Sequence, residues 1–483
     1  MTAWIGAAVL VSGFVLLLQK FGLVKRSRDV VAASRRSFDV LRDPSLSDEA
    51  KETALQKEAK WLLVSFVVLT LGGAAAFLIP LGVIWAGGRI GWVSLESVLD
   101  VTISPPFLIL SGVLIVAVFV FSRKQPAAGT GYSRLDRFLH RLSFRTRIAQ
   151  IALADLGDRM VTEPLAACRT DRPVFITALP RAGTTLLLER FAGLPEFASH
   201  CYRDMPFVLT PWVWDRFSSS FQRTGGQRER AHGDGMRIDF DSPEALEEIV
   251  WMTFWKDRYT PDRILPWGLD RNGEFETFLH NHMCKIKLLR GSGDMDSVRY
   301  VSKNNLNIAR IPLLLQLFPD CTVLVPFREP VQHACSLLKQ HVNFMHIHEH
   351  DRFVRDYMRA IGHFDFGRNL RPVDFGGWLD ANPYTDTETL NFWLSYWIAA
   401  YRHILEHKAH LVLASYDALC RNPAAVLSRL AEAAGCMDKD ALVSGSDAVH
   451  RPRSHAVRTA SIDPSLIETA ESLHRDLLEA ERA

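Results

Sequence analysis

The sequence predicts an α/β protein, with a P-loop-like parallel sheet flanked by helices, preceded by an N-terminal transmembrane helical region. Two apolar runs, Val174-Phe175-Ile176 and Thr322-Val323-Leu324-Val325-Pro326-Phe327, read as buried strands. Each feeds a turn rich in anion-binding residues and then a helix-like segment. Three stretches carry no charge: Met1 to Gln19, Trp61 to Gly88 and Val101 to Ser122. Each is long enough to cross a hydrocarbon core that needs about 20 apolar residues. Apolar residues make up 48% of the chain, too many for a disordered polymer.

The expected order along the chain is a first transmembrane helix over 1–24, a basic loop over 25–60, and second and third transmembrane helices over 61–123. A hinge with a basic amphipathic helix follows over 124–170, and the α/β domain fills 171–483. The first segment is expected to remain as an anchor, because Met1-Thr2-Ala3-Trp4 has no basic n-region and no small-residue cleavage site follows. Pro105 and Pro106 shorten the regular part of the third. Lys20, Lys25, Arg26, Arg28, Arg35, Arg36, Arg42, Lys51, Lys57 and Lys60 load the first loop, whereas Gly87 to Asp100 holds only Arg89. By the positive-inside rule the first loop is cytoplasmic, and three spans then put the α/β domain on the cytoplasmic side of an inner or plasma membrane.

Gln125 to Gly131 reads as the hinge. Beyond it Leu135, Phe138, Leu139 and Leu142 recur at helical spacing among Arg134, Arg137, Arg141, Arg145 and Arg147. Such a helix either lies in the membrane interface or packs on the α/β domain, and both placements stay open. The seven cysteines are odd in number and show no paired metal-ligand spacing, so they read as reduced, mostly buried thiols. A net charge of +2 gives no argument for a nucleic-acid partner, while the bilayer itself is an expected one.

Leu179-Pro180-Arg181-Ala182-Gly183-Thr184-Thr185-Leu186 separates the first strand-like run from a helix-like Leu186 to Phe191. Strand, glycine turn and helix start in that order aim several backbone N–H groups and the positive helix end at one point, where a phosphate or sulfate would sit. The Walker pattern is absent, since Arg181 precedes the glycine and no Lys follows it, so ATP is not the expected donor. The second run ends in Arg328-Glu329-Pro330, with Ser336 eight residues after the arginine on a helical segment. A guanidinium at a strand end offers a planar fork to phosphate oxygens, and Pro330 suits the first turn of a helix.

These two elements, over about residues 171 to 430, resemble the donor site of membrane-anchored, bacterial-type sulfotransferases that use 3′-phosphoadenosine 5′-phosphosulfate (PAPS). The family's loop usually reads Pro-Arg/Lys-Ser-Gly-Thr-Thr/Ser-Leu. The resemblance implies that Arg181, Ala182, Gly183, Thr184 and Thr185 cradle the 5′-phosphosulfate, and that Arg328 and Ser336 bind the 3′-phosphate. It also implies catalytic roles. Arg181 would stabilise the leaving phosphate, and Lys303, in a degraded Lys-Ser-Pro element reading Ser302-Lys303-Asn304-Asn305, would be a second cation. Asp204 would be the base, with His200 and His232 as alternatives. PAPS is made in the bacterial cytosol, in keeping with the topology above.

The expected reaction is transfer of a sulfonate group from PAPS to a hydroxyl or amine, and the anchor suggests a lipid or glycolipid acceptor. A nucleotide or small-molecule kinase would need the missing lysine and an acidic Mg²⁺ ligand after a strand, and a non-catalytic PAPS-binding membrane sensor would lack the base. No metal is expected, because His341, His346, His348 and His350 fit no helical zinc pattern; they could line an acceptor cleft instead. Trp393, Tyr396, Trp397 and Tyr401 at helical spacing read as core. Arg451, Arg453, His455 and Arg458 read as a solvated tail or a flap over the nucleotide.

Overall fold

The computed structural model describes residues 2–23, 48–89, 94–104, 134–218, 237–291, 296–444 and 461–482, with isolated positions between these stretches. The chain divides into two compact units, residues 1–131 and 132–483.

In the first unit the uncharged stretches become helices, Thr2–Lys20 and the long Asp48–Arg89, followed by a short helix Leu95–Ile103. Their contact is built on small residues: Gly6 faces Val98, Gly13 faces Pro80, and Gly72 faces Leu23, letting backbones approach closely. Ala7, Leu10, Ile84 and Val98 fill the seam. Opposite it, Leu63, Phe66, Leu71 and Trp85 stand more than half exposed. Thr2–Lys20 and Glu58–Arg89 are long and apolar enough to cross a membrane. The third expected span lies outside the described residues from Pro105 onward, apart from Phe107, as does the hinge.

In the second unit five strands form one parallel sheet: β1 (Val174–Ile176), β2 (Phe197–Ala198), β3 (Arg299–Lys303), β4 (Thr322–Phe327) and β5 (Val412–Ser415). Their order is β2-β3-β1-β4-β5, with Phe175 in register with Ser302 on one side and Val323 on the other. Val174, Ile176, Val301, Val323 and Val325 pack well on a pleated surface covered on both faces, which explains why these runs are apolar without alternation. One core is dominated by Trp251, Trp393 and Trp397, another by Leu187, Phe191, Leu427 and Leu430. Trp393, Tyr396, Trp397 and Tyr401 are core residues of helix Leu390–Glu406.

Of the two placements open to the basic amphipathic helix, the structure shows packing on the α/β domain. In Arg134–Arg145, His140 meets the Tyr357 ring at 5.1 Å, Ser143 donates to the Pro206 carbonyl, and Arg137 lies over Phe353. The cysteine expectation is corrected at two positions. Cys168 and Cys284, 116 residues apart, form a disulfide with Cα atoms 5.9 Å apart, a pairing that scattered spacing could not reveal. Cys201, Cys321, Cys335, Cys420 and Cys436 stand outside this disulfide as thiols.

Candidate active site

Three adjacent strands, β3, β1 and β4, end side by side, and the residues just beyond them meet at this carboxyl edge, where open parallel sheets bind ligands. From β1 the chain turns through Arg181 and Gly183, both with positive φ (71° and 102°), into helix Thr184–Ala192. Gly183 is required twice over. Its φ suits glycine, and a Cβ there would overlap the ring of Tyr416. Arg181 carries a Cβ in the same region of backbone space, at a cost of about 1 kcal/mol, and such outliers concentrate at ligand clamps. Ala182 and Thr184 are buried, and Thr184 and Thr185 form the first turn of the helix.

Arg328 follows β4 directly. Its Nη1 donates to the Arg181 carbonyl at 3.2 Å and its guanidinium lies 5.6 Å from the Tyr416 ring centre. Pro330 opens helix Pro330–His350, whose cap is the Glu329 carboxylate accepting from the N–H groups of Val331 and Gln332. Ser336, two turns in, has its hydroxyl 3.5 Å from Nε of Arg181. The structure therefore brings Arg181, Gly183, Thr184, Arg328 and Ser336 together. His455 reaches the same place: its backbone pairs with the Gln332 side chain, and burial, then Lys339, Arg328 and Arg181, push its imidazole pKa down. Arg451, Arg453 and Arg458 lie outside the described residues.

Sequence reasoning missed a group beneath the cradle. His333 is fully buried; its Nε2 donates to the Pro180 carbonyl at 2.8 Å while Nδ1 accepts from the Trp397 indole at 3.2 Å. Burial and then the Arg328 charge push its pKa down to about 3, so the ring stays neutral and that tautomer is fixed.

Lys303 ends β3 and is buried. The next residues tie it to β1: Asn304 N–H donates to the Ile176 carbonyl, and the Thr177 hydroxyl donates to the Asn305 carbonyl. Lys303 lines a cavity of ≈ 20 Å³ with Glu248, Asn305, His363 and Asp365.

The structure encloses Asp204, the expected base, among hydrogen-bond partners. It sits on a short turn after β2, 1% exposed, with Oδ1 accepting from Arg290 at 2.5 Å and Oδ2 from His200 Nδ1 and Cys201 N–H, both at 3.0 Å. Burial alone would raise its pKa, yet the His200 hydrogen bond and Arg290 hold it below the usual carboxylate range. Each oxygen of this weak base already accepts a charge-assisted or backbone bond. His200 is equally enclosed, sharing Nε2 with His282 at 3.0 Å. His232 lies outside the described residues.

The histidines proposed for the acceptor cleft serve the backbone instead. His341 Nδ1 accepts from Gly367 N–H at 3.1 Å and His348 Nδ1 from Arg368 N–H at 3.2 Å, and burial pushes both pKa values down to about 4. His346 and His350 pack ring against ring at a tilt of 43°, with ring centres 4.3 Å apart.

Fold and site together define a parallel α/β protein that gathers Arg181, Arg328, Ser336 and a glycine turn where its central strands end. Residues 173–371 match the model of the sulfotransferase family. Similar solved structures include sulfotransferase STF9 from Mycobacterium avium, at 14% identity over 76% of this chain and 95% of that one, TM-score 0.41. Sulfotransferase STF1 from Mycobacterium tuberculosis H37Rv follows at 12% identity over 75% and 91%, TM-score 0.37. No curated protein matches the chain.

Proposed function

We propose that the protein is a membrane-anchored sulfotransferase that moves a sulfonate group from PAPS to a hydroxyl or amine, with a lipid or glycolipid as acceptor. The observation that carries this reading is the meeting of Arg181, Arg328 and Ser336 around one glycine turn, with Lys303 ending the adjacent strand. In this reading the turn 181–185 holds the 5′-phosphosulfate, and Arg328 with Ser336 holds the 3′-phosphate. Arg181 and Lys303 face the charge that grows on the departing phosphate oxygen. The acceptor attacks in line, and the protein positions it and stabilises the departing charge. Two long apolar helices with Leu63, Phe66, Leu71 and Trp85 exposed support the anchor.

The test is a titration of the full chain, in detergent micelles, with PAPS, with adenosine 5′-phosphosulfate lacking the 3′-phosphate, and with ATP. PAPS should bind tightest, by roughly 10-fold or more over the donor without the 3′-phosphate. Equal or tighter ATP binding would replace the reading with a kinase. Mass spectrometry of lipid extracts from cells with and without the gene tests the acceptor through an added sulfonate mass; identical spectra remove the lipid assignment.

A further inference from the structure

The cavity beside Lys303 has room for about one water molecule or one hydroxyl group. Two carboxylates line it, and they differ. Glu248 is committed: Oε2 accepts from Arg310 and from Asn304 at 2.7 Å, and Oε1 accepts from the Tyr259 hydroxyl. Asp365 is held lightly. Its Oδ2 accepts from Asn305 Nδ2 at 3.4 Å and stands 3.9 Å from His363 Nδ1. Asn305 also accepts, through Oδ1, from the Thr184 hydroxyl at 3.5 Å, so one amide side chain spans from the cradle helix to Asp365.

The loop carrying Asp365 is fixed from both ends. Gly362, at φ 87°, is pressed against Glu248, where a Cβ would overlap the carboxylate side chain. At the other end Gly367, at φ 65°, donates to His341, and Arg368 N–H donates to His348. A carboxylate on a clamped loop, facing a one-hydroxyl cavity next to a buried lysine and one amide from the cradle, is pre-organised for proton transfer.

We propose that Asp365 is the general base of the sulfonate transfer, accepting the proton of an acceptor group held in the cavity beside Lys303. This rests on the PAPS reading above. The acceptor oxygen or nitrogen forms the new bond to sulfur while its proton passes to a carboxylate oxygen of Asp365. The bond from sulfur to the bridging phosphate oxygen breaks, and its electron pair leaves on 3′-phosphoadenosine 5′-phosphate. Asp365 ends neutral, and the leaving phosphate gains the negative charge. Burial lifts the Asp365 carboxyl to about 6, opposed by Lys303 and the Asn305 hydrogen bond, with Glu248 adding to the rise. Lys303 from β3, Glu248 from helix Glu248–Phe254, Asn304, Asn305 and the loop's own His363 are the charged and polar groups that line this cavity with Asp365. At neutral pH the carboxylate is ionised, and a stronger base than an exposed aspartate.

The experiment follows release of ³⁵S from labelled PAPS by the full chain, with water and then octyl glucoside as acceptor, between pH 5 and 8. Wild type should lose about tenfold in rate per pH unit below about 6. Asp365→Asn should bind PAPS within about twofold of wild type, lose on the order of 100-fold in rate, and lose the acid limb of the profile. A variant with near-normal rate, or one that keeps the acid limb, overturns the proposal, as does a wild type that binds PAPS but sulfonates neither acceptor. Failure to bind PAPS at all appears in the titration before any variant is compared, and sinks the donor reading instead.

Discussion

Nε2 of His333 donates to the Pro180 carbonyl at 2.8 Å, which makes the shape of the anion cradle depend on a residue 153 positions away on another helix. Trp397 holds the far side of the same ring. Replacing His333 with Ala removes the donor and opens a gap under Pro180, so PAPS affinity should fall by about 10-fold, read by calorimetric titration. Its protonation adds a second signature. The folded ring stays neutral down to about pH 3, whereas the unfolded ring takes a proton near 6.5, so the unfolded state binds more protons between those values. Stability from this residue is therefore full above about pH 6.5 and is lost as pH falls toward 3. Denaturant unfolding of wild type and His333→Ala across that range should show the wild-type slope flattened in the variant.

Asp365 carries the opposite sign. Its folded pKa, about 6, lies above that of a free aspartate, so the native state holds the extra proton between about pH 4 and 6. Stability from this group is full below about 4 and is lost as pH rises through 6. Asp365→Asn should therefore stabilise the protein at pH 8 by about 2 kcal/mol and change little at pH 4, measured by urea unfolding. Gain in stability with loss of turnover is the trade expected where a carboxylate is kept buried for chemistry.

Asp204→Asn should behave in the reverse manner. Arg290 would keep Asp215 at 2.8 Å but lose its buried partner, costing about 3 kcal/mol. PAPS binding in the folded fraction should stay within a few-fold of wild type. Thermal unfolding read beside PAPS titration separates the two effects.

Arg328→Ala should weaken PAPS binding by roughly 10 to 100-fold and Ser336→Ala by less, because the first removes a charge-assisted contact. Arg181→Ala should act mainly on turnover, lowering it by on the order of 100-fold, because charge grows beside it only as the bond breaks. Single-turnover ³⁵S release at saturating PAPS distinguishes these.

Cys284→Ser should lower the unfolding free energy by about 2 to 4 kcal/mol under oxidising conditions, since the bond closes a loop of more than a hundred residues in the unfolded chain. The difference between wild type and variant should vanish in reductant.

Strands β1 and β4 were legible to the residue, because a parallel strand buried on both faces has no alternation to blur its ends. Arg328, Pro330 and Ser336 were legible too, since strand, cap and helix lie in one short segment. The surroundings of Asp204 were not legible, because its partner Arg290 lies 86 residues away, a contact that no local window contains. Asp365 was missed because its setting is assembled from β3, the helix Glu248–Phe254 and the long Ser336 helix. The signal present in sequence was small: His363-Phe364-Asp365-Phe366 alternates polar and apolar between Gly362 and Gly367. His333 stood in plain view three residues before Ser336, one turn away on the same face.

The close approach of Gly183 to Tyr416 couples the cradle sterically to the residue that follows β5. A methyl group at 183 can be admitted only if 416 gives up its ring, and the ring in turn stacks under Arg328. Shrinking Tyr416 relieves the overlap but not the positive φ at 183, so Tyr416→Ala should rescue Gly183→Ala only in part. Position 183 therefore cannot drift while Tyr416 keeps its ring, whereas a smaller residue at 416 leaves Gly183 without any clash.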